Sequence, residues 1–266
     1  MSEQLCFDGR LILIYLAIKF EGDYNKILLA IENDDYNVSL DEAIKAYESL
    51  DCHVLTLLDY DYPERLKKMW HPPLVIFYYG DISLLNSRSI ATVGSREFSE
   101  YGKMCTETII SQLPKDVVIV SGLARGIDTV AHESAIKNGA RTIAVLGSGI
   151  DYCYPSENQK LYDEIKKKHL LISEYPFKAS PDSAHFPNRN RIVVGLSDAI
   201  FVPQINTYQS GTMISLNLGN DNGRLIFIAP HPPGSETINN RLINEGAILA
   251  DSAQQMLDEL GWKNEK

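Results

Sequence analysis

Most of the features that would quickly assign a function to this chain of 266 residues are missing from it. No apolar run reaches the roughly 18 residues that a membrane-spanning helix needs. The longest near the start, Leu11–Ile18, follows Glu3 and Asp8 instead of a basic region and precedes no small-residue cleavage site. Neither a membrane span nor a secretory leader is therefore expected, and the expected location is the cytoplasm. Cysteine is sparse: Cys6, Cys52, Cys105 and Cys153 are scattered without a C-x-x-C pair, which argues against a disulfide framework or a zinc site, and no metal is expected. Basic residues are outnumbered by acidic ones, 25 to 35, giving a formal net charge of -10. Such a far field repels polyanions, although screening over about 8 Å leaves room for a concentrated basic pocket. The common catalytic signatures are also missing. The chain has no G-x-x-x-x-G-K-[ST], no G-x-S-x-G and no H-E-x-x-H, and no G-x-G-x-x-G follows the apolar run that ends at Gly94.

The composition that remains, 44% hydrophobic and 23% charged, is that of an ordinary globular protein. The length suits one large α/β domain with a small appendage. Residues 1–54 read as a small domain of about three helices, the third opening with Ser39 and Glu42 in a capping-box arrangement. Residues 55–266 read as the second domain. It opens with a connector, Leu55–Leu85, in which "LVIFYYG" reads as a strand, as does "HVLTLL" at the junction, and Pro72–Pro73 forces an extended entry. From Ile90 onward, "SIATVG", "VVIVSG", "RTIAVLG", "LLISEY", "DAIFVP", "RLIFIAP" and "GAILA" alternate with helix-length segments. These runs are apolar on both faces and rich in Val and Ile, as buried parallel strands are. The fold class is α/β: a doubly wound, Rossmann-like, mostly parallel sheet with a small helical domain at its N-terminus.

In such sheets ligands bind beyond the carboxyl ends of the strands. Four of those ends carry small turns: Gly94-Ser95-Arg96, Ser121-Gly122 with Arg125-Gly126, Gly147-Ser148-Gly149, and Ser210-Gly211-Thr212. Glycine lets backbone amides approach an oxyanion, and a helix N-terminus beyond it points more of them the same way. Arg96, Arg125, Arg189 and Arg191 all fall in or beside these expected loops, and the guanidinium fork suits phosphate and stacks on bases. "HFPNRNRIV" adds His185 and Phe186 to two of those arginines, a combination suited to gripping unpaired nucleic acid. Each feature also has a plain alternative: a glycine turn as geometry, an arginine as a surface ion pair, Phe186 as a core aromatic. Asp128 and His132 lie one helical turn apart and could form an acid–base pair, but Asp128 near a helix start is better read as complementing the dipole. The run Lys166–Lys168 ends a helix and reads as a solvated face.

In order and at suitable separations, "VGSREFSEYG", "VIVSGLARGIDTVAHESAIKNG", "TIAVLGSGIDYCYPSEN", "LISEYPF", "HFPNRNRIVVGLSDAIFV" and "LINEGAILA" resemble the DNA-processing protein A (DprA/Smf) family. The resemblance implies an extended Rossmann domain, with the helical N-terminal part compatible with a SAM-like domain. It implies a protein without enzymatic activity and without a bound cofactor or metal. Its expected role is to bind and shield incoming single-stranded DNA during natural transformation and to help load the RecA recombinase. Carried over residue by residue, the DNA pocket draws on Gly94, Ser95, Arg96, Ser121, Gly122, Arg125, Phe186, Arg189, Asn190, Arg191, Ser210 and Gly211. The family's homodimers form through the C-terminal part of the domain, where Leu242, Ile243, Ile248 and Leu249 are the candidate patch or, alternatively, core. Two departures stand out. Gln209 occupies a usually basic position and Ile205 a usually acidic one, and the segment Pro230–Asn240 lacks the glycine usual just before the final Leu-Ile.

Two other readings stay open on the residues alone. One is a nucleotide-processing enzyme of the lysine-decarboxylase-like phosphoribohydrolase group, for which "QSGTMIS" is a partial echo and Asp128 and Glu174 are the fallback acids. The other is a protein-interaction scaffold that has lost strong DNA binding.

Overall fold

The computed structural model describes residues 2–35, 37–177 and 179–262, and the side chain of Cys6 lies outside what is described. Three helices open the chain: α1 (Ser2–Lys19), α2 (Tyr24–Glu32) and α3 (Leu40–Glu48). Each of the last two starts at a side-chain cap. The Asp23 carboxylate accepts from the Lys26 amide at 3.1 Å, and Ser39 and Glu42 form the reciprocal capping box that the sequence foretold. Strands β1 (His53–Thr56) and β2 (Val75–Gly80) follow, with the one-turn helix α4 (Glu64–Lys67) between them.

From there strand and helix alternate. The elements are β3 (Ser89–Thr92), α5 (Glu100–Gln112), β4 (Val118–Ser121), α6 (Ile127–Lys137), β5 (Thr142–Leu146), α7 (Gln159–Lys168) and β6 (Leu170–Ser173), then α8 (His185–Leu196), β7 (Ala199–Val202), α9 (Gly211–Asp221), β8 (Leu225–Ile228), α10 (Asn239–Asn244), β9 (Ile248–Leu249) and α11 (Ala253–Glu259). The nine strands among the described residues make one sheet in the order β1-β2-β6-β5-β4-β3-β7-β8-β9. Pairing is parallel from β6 through to β9, while β1 and β2 add an antiparallel edge. The fold class read from the apolar runs is the one observed.

Burial explains why so many strands are apolar on both sides. Along β5, Ile143 and Val145 enter one core cluster, shared with Ile192–Val194 of α8 and Leu216 of α9. The intervening Ala144 and Leu146 enter another, shared with Leu13, Ile14, Leu16 and Ala17 of α1 and Leu161 and Ile165 of α7. A third cluster on that second face joins Ile109 and Ile110 of α5 to Phe201 and Phe227. Each fully buried phenylalanine contributes about 2–3 kcal/mol through area removed from water. The opening helices therefore share a continuous core with the sheet.

The topology fixes where a crevice forms. From β3 the chain winds outward through β4, β5 and β6, then returns through α8 to pair β7 on the other side of β3. The strand order reverses at β3, and the loops after β3 and β7 part there. Helix α8 makes the return crossing and packs against β3, β4 and β5. That crossing carries the residues of its N-terminal half to the reversal point.

Candidate functional site

A cavity of about 1080 Å³ opens at the reversal point, lined by Gly94, Ser95, Arg96, Phe186, Arg189 and Tyr154 among others. The β3 loop that forms one wall is held by a ladder of polar contacts from the β7 loop. The Ser95 amide donates to the Gln204 carbonyl at 2.9 Å. Ser95 Oγ accepts from the Asn206 amide at 3.0 Å, and Asn206 Nδ2 donates to the Glu97 carbonyl at 2.8 Å. Gln204 Oε1 accepts from the amide and hydroxyl of Ser99, at 3.0 and 2.8 Å. Arg96 thus sits between two anchored neighbours. Its side chain is exposed and has no carboxylate partner among the described residues.

The floor belongs to Arg189, only 5% exposed, whose Nη1 donates to the Val145 carbonyl at 2.7 Å. Gly122 makes this possible, because a Cβ there would collide with the Arg189 guanidinium. Asp128 is buried beside it and accepts from the amides of Gly122 at 3.1 Å and Ala124 at 3.4 Å. Burial pushes the Asp128 carboxyl up from its ordinary value and is opposed by Arg189 and those amides. Burial pulls Arg189 down, opposed by Asp128, and the charge of Arg96 pulls it down further. The two guanidinium groups line the same cavity. Arg189 stays charged, since a guanidinium keeps its proton in proteins.

Aromatic rings make the opposite wall. Phe186, at the start of α8, lies 5.6 Å from the Tyr154 ring. Tyr152 and Tyr154 are 44% and 46% exposed, so both present usable faces. Helix α9 directs its N-terminus at the cavity, with Ser210 capping the Met213 amide and open space beside Gly211. Asn190 Nδ2 ties α8 to α9 by donating to the Gly211 carbonyl at 3.2 Å.

The structure brings together Gly94, Ser95, Arg96, Phe186, Arg189, Asn190, Ser210 and Gly211, and sets the other expected residues apart. Four arginines along one rim is the expectation that fails. Arg125 lies outside the lining and forms a surface ion pair with Glu157. Arg191 faces away, bound to the buried Glu174 carboxylate at 2.5 Å in a different cavity. Ser121 is fully buried with its hydroxyl on the Thr92 carbonyl, so it positions β4 against β3. Nor are the loop amides bare. Besides those taken by Asp128, the Ile127 amide donates to the Ser95 carbonyl at 3.2 Å and the Gly149 amide to the Ala179 carbonyl at 2.8 Å. Gly126, at φ 87°, makes the first of these contacts possible, since a Cβ there would strike the Ser95 and Arg96 carbonyls.

At the C-terminal end, Leu242 is buried in the core, so an exposed dimer patch cannot include it. Ile243 is half-buried against the same cluster, Ile248 packs on the cluster of the other face, and Leu249 is 37% exposed. His132 is buried with Nδ1 at 2.7 Å from Thr142 Oγ1, so the expected structural role of that turn holds. Among the described residues no group of three His, Cys, Asp or Glu is placed to hold a metal, and no helix is long and apolar enough to cross a membrane. Reading the sequence missed Tyr152, Tyr154, Gln204 and Asn206 as parts of the site.

The family model for DNA recombination-mediator protein A matches residues 53–261. The chain belongs to this family. It is 41% identical over 206 residues to the DNA processing protein DprA of Streptococcus pneumoniae, covering 77% of this chain and 73% of that one. To the Bacillus subtilis DNA processing protein DprA it is 36% identical, covering 88% and 80%. Among solved structures, the S. pneumoniae protein superposes with a TM-score of 0.77 at 34% identity, covering 94% of this chain and 93% of that one. Helicobacter pylori DNA processing protein A, whose structure was solved for its single-stranded DNA binding mode, gives 0.72 at 30% identity, covering 80% and 96%. Against this family background the first departure acquires a physical reading. Ile205 is wholly buried in the core and its amide donates to Asn239 Oδ1 at 2.8 Å, so an apolar side chain suits that position. Gln209 is exposed beside the cavity and lies outside its lining.

Proposed function

We propose that this chain binds an unpaired DNA strand in the cavity at the β3/β7 reversal, as a recombination mediator. The observation that supports this most is the pairing within one cavity of an unpartnered, anchored Arg96 with the exposed ring of Tyr154 and the half-buried ring of Phe186. The guanidinium meets a phosphate, and the rings meet bases that only an unpaired strand exposes. The anchoring ladder through Gln204 and Asn206 holds the loop in place before the ligand arrives, which lowers the ordering cost of binding. On the same reading, the bound strand is shielded from nucleases and handed to a RecA-class recombinase by a homodimer formed through the C-terminal part of the domain. The nucleotide-hydrolase alternative loses support because its two acids, Asp128 and Glu174, line different cavities.

With two guanidinium groups at the phosphates instead of the four foreseen, log affinity falls with log salt at a slope of about -1.4 per protomer. Fluorescence anisotropy of single- and double-stranded oligonucleotides across a salt series tests the reading. The expected result is tighter single-strand binding with that shallow slope. Equal affinity for duplex, or no binding at low salt, overturns it.

A further inference from the structure

A second cavity, about 600 Å³, opens on the other flank of α8. The two cavities share the start of that helix as a wall: Ser183, Phe186 and Pro187 line the first, while Ala184, His185 and Asn188 line the second. The opening turn between α1 and α2 and the segment Met69–His71 complete its surround. Two aromatic groups line it. Tyr24, His71 and Trp70 form a chain of rings, with centroids 4.8 Å apart for Tyr24 and His71 and 5.3 Å for Trp70 and His71. Tyr175 and His185 stack at 3.9 Å with 19° between their planes. Trp70 is 86% exposed, held out beside a His71 whose φ of 59° turns the chain sharply there.

The charged groups of the lining are three acids, Glu21, Asp23 and Glu174, against two bases, Lys26 and Arg191, and its hydrogen bonding is incomplete. Glu174 is taken by Arg191, and Asp23 by Lys26 and the α2 amide. Two buried nitrogens, Arg191 Nη1 and His185 Nδ1, have no partner. A phosphate gains little among paired charges. A neutral, planar, hydrogen-bonding group gains both stacking surface and waiting polar atoms.

We propose that this cavity takes a nucleobase of the same strand that occupies the first cavity, so that the strand passes over the opening turn of α8 with Trp70 as its second stacking platform. This rests on the proposed function above. A helix with its side chains is about 10–12 Å across, so a few nucleotides suffice for the crossing. The two sites then differ in what they hold: phosphate and base in the first, base alone in the second.

Trp70 and Trp262 are the chain's two tryptophans, so Trp262→Phe leaves Trp70 as the sole reporter. The test titrates that variant with a twelve-thymidine oligonucleotide while following tryptophan emission, and follows anisotropy of the labelled oligonucleotide in parallel. The expected result is quenching of Trp70 emission by half or more at saturation. Trp70→Ala is expected to weaken binding of the twelve-mer about five- to tenfold while leaving a three-mer unaffected, in line with stacking of one base. Binding by anisotropy with unchanged Trp70 emission overturns the second site and leaves the first intact. Equal quenching by an abasic strand of the same length overturns it too, because the base is then not the ligand. Absence of any binding overturns both readings together.

Discussion

The two cavities that flank α8 take their floors from arginines two residues apart, Arg189 and Arg191, yet they differ in electrostatic character. Successive helix positions advance by about 100°, so residues two apart point to nearly opposite sides. Arg189 enters the first cavity beside Asp128 and shares it with the unpaired Arg96. Arg191 enters the second and meets Glu174 at 2.5 Å, with no further unpaired guanidinium in that lining. With Glu97 also in the first lining and Glu21 in the second, the first holds two cations against two carboxylates and the second two against three, so the first is the more positive by one charge. What distinguishes the regions is the anchored β3 loop, which exists only on the first side.

Breaking each pair is the most severe way to test that likeness. Removing one partner of a buried ion pair leaves the other charge uncompensated and costs about 3–5 kcal/mol. Arg191→Ala is expected to lower the urea midpoint by a shift of that size, because the buried Glu174 is left behind. Arg189→Ala, which removes a nearby charge from buried Asp128 and the donor to the Val145 carbonyl without breaking a contact ion pair, is expected to lower it by less. Loss of DNA binding by Arg189→Ala therefore speaks for the pocket only if it is measured on the folded fraction. If either variant unfolds at the parent's urea midpoint, the two floors are not the structural pairs described.

Acid stresses the first region from behind. His132 lies on α6, beneath the Asp128–Arg189 floor, where burial, and then the charges of His169 and Arg189, pull its imidazole down to about 3. Its Nδ1 faces Thr142 Oγ1, whose own hydrogen goes to the Ile119 carbonyl, so the neutral ring donates there. A depressed histidine contributes stability that is complete above its unfolded value near 6.5 and is lost as the pH falls towards its folded one. Between pH 7 and 4 the loss is about 3 kcal/mol from this group. Asp128, raised by burial, acts in the opposite sense: its contribution is complete below the ordinary carboxylate value and fades as the pH rises through its folded value. Urea midpoints measured from pH 7 to 4 should therefore fall with acidification in the parent and flatten in His132→Gln. A parent midpoint that holds steady over that range removes His132 from the account.

These expectations show where the sequence was legible. Six of the seven apolar runs from Ile90 onward form strands inside a parallel sheet whose two faces are buried, and that requirement is written directly into composition. The seventh forms the short, partly exposed edge strand β9. The glycines at positions 94, 122 and 126 marked the right edge of the sheet for the wrong reason. They were read as openings for a ligand's oxygens, whereas Gly122 and Gly126 admit Arg189 and the neighbouring loop. Arg191 lies beside an expected carboxyl-edge loop in sequence but faces away in the structure, because "HFPNRNRIV" is helix, where residues two apart point to nearly opposite sides. Tyr152 and Tyr154 were illegible because tyrosine is frequent here, 14 in the chain, and only the path of the loop after β5 decides which ones face the cavity. Gln204 and Asn206 act through two hydrogen bonds each across more than 100 positions of sequence, which no local pattern announces.

Arg96 offers a milder test of the contrast, since it is exposed and unpaired. Arg96→Ala is expected to leave the urea midpoint within about 0.5 kcal/mol of the parent, as surface changes do. It should weaken single-strand binding about tenfold, equivalent to about 1.4 kcal/mol, and make the salt slope shallower by about 0.7. Unchanged affinity at moderate salt would mean that the unpaired charge of Arg96 has no part in binding. Asn206→Ala, which frees the Glu97 carbonyl and leaves the charge in place, should weaken binding less and leave the slope alone.

The smallest effect separates ring from charge within the first cavity. Tyr154 is 46% exposed and its ring lies 5.6 Å from Phe186. If its role is to stack on a base, the phenol oxygen is dispensable and the ring is not. Tyr154→Phe is then expected to match the parent in anisotropy, and Tyr154→Ala to weaken binding about fivefold with an unchanged salt slope, since no phosphate contact is lost. A loss in Tyr154→Phe equal to that in Tyr154→Ala would instead make the hydroxyl the operative group. The first cavity would then be a hydrogen-bonding site with an incidental aromatic wall, and its contrast with the ring-lined second cavity would widen.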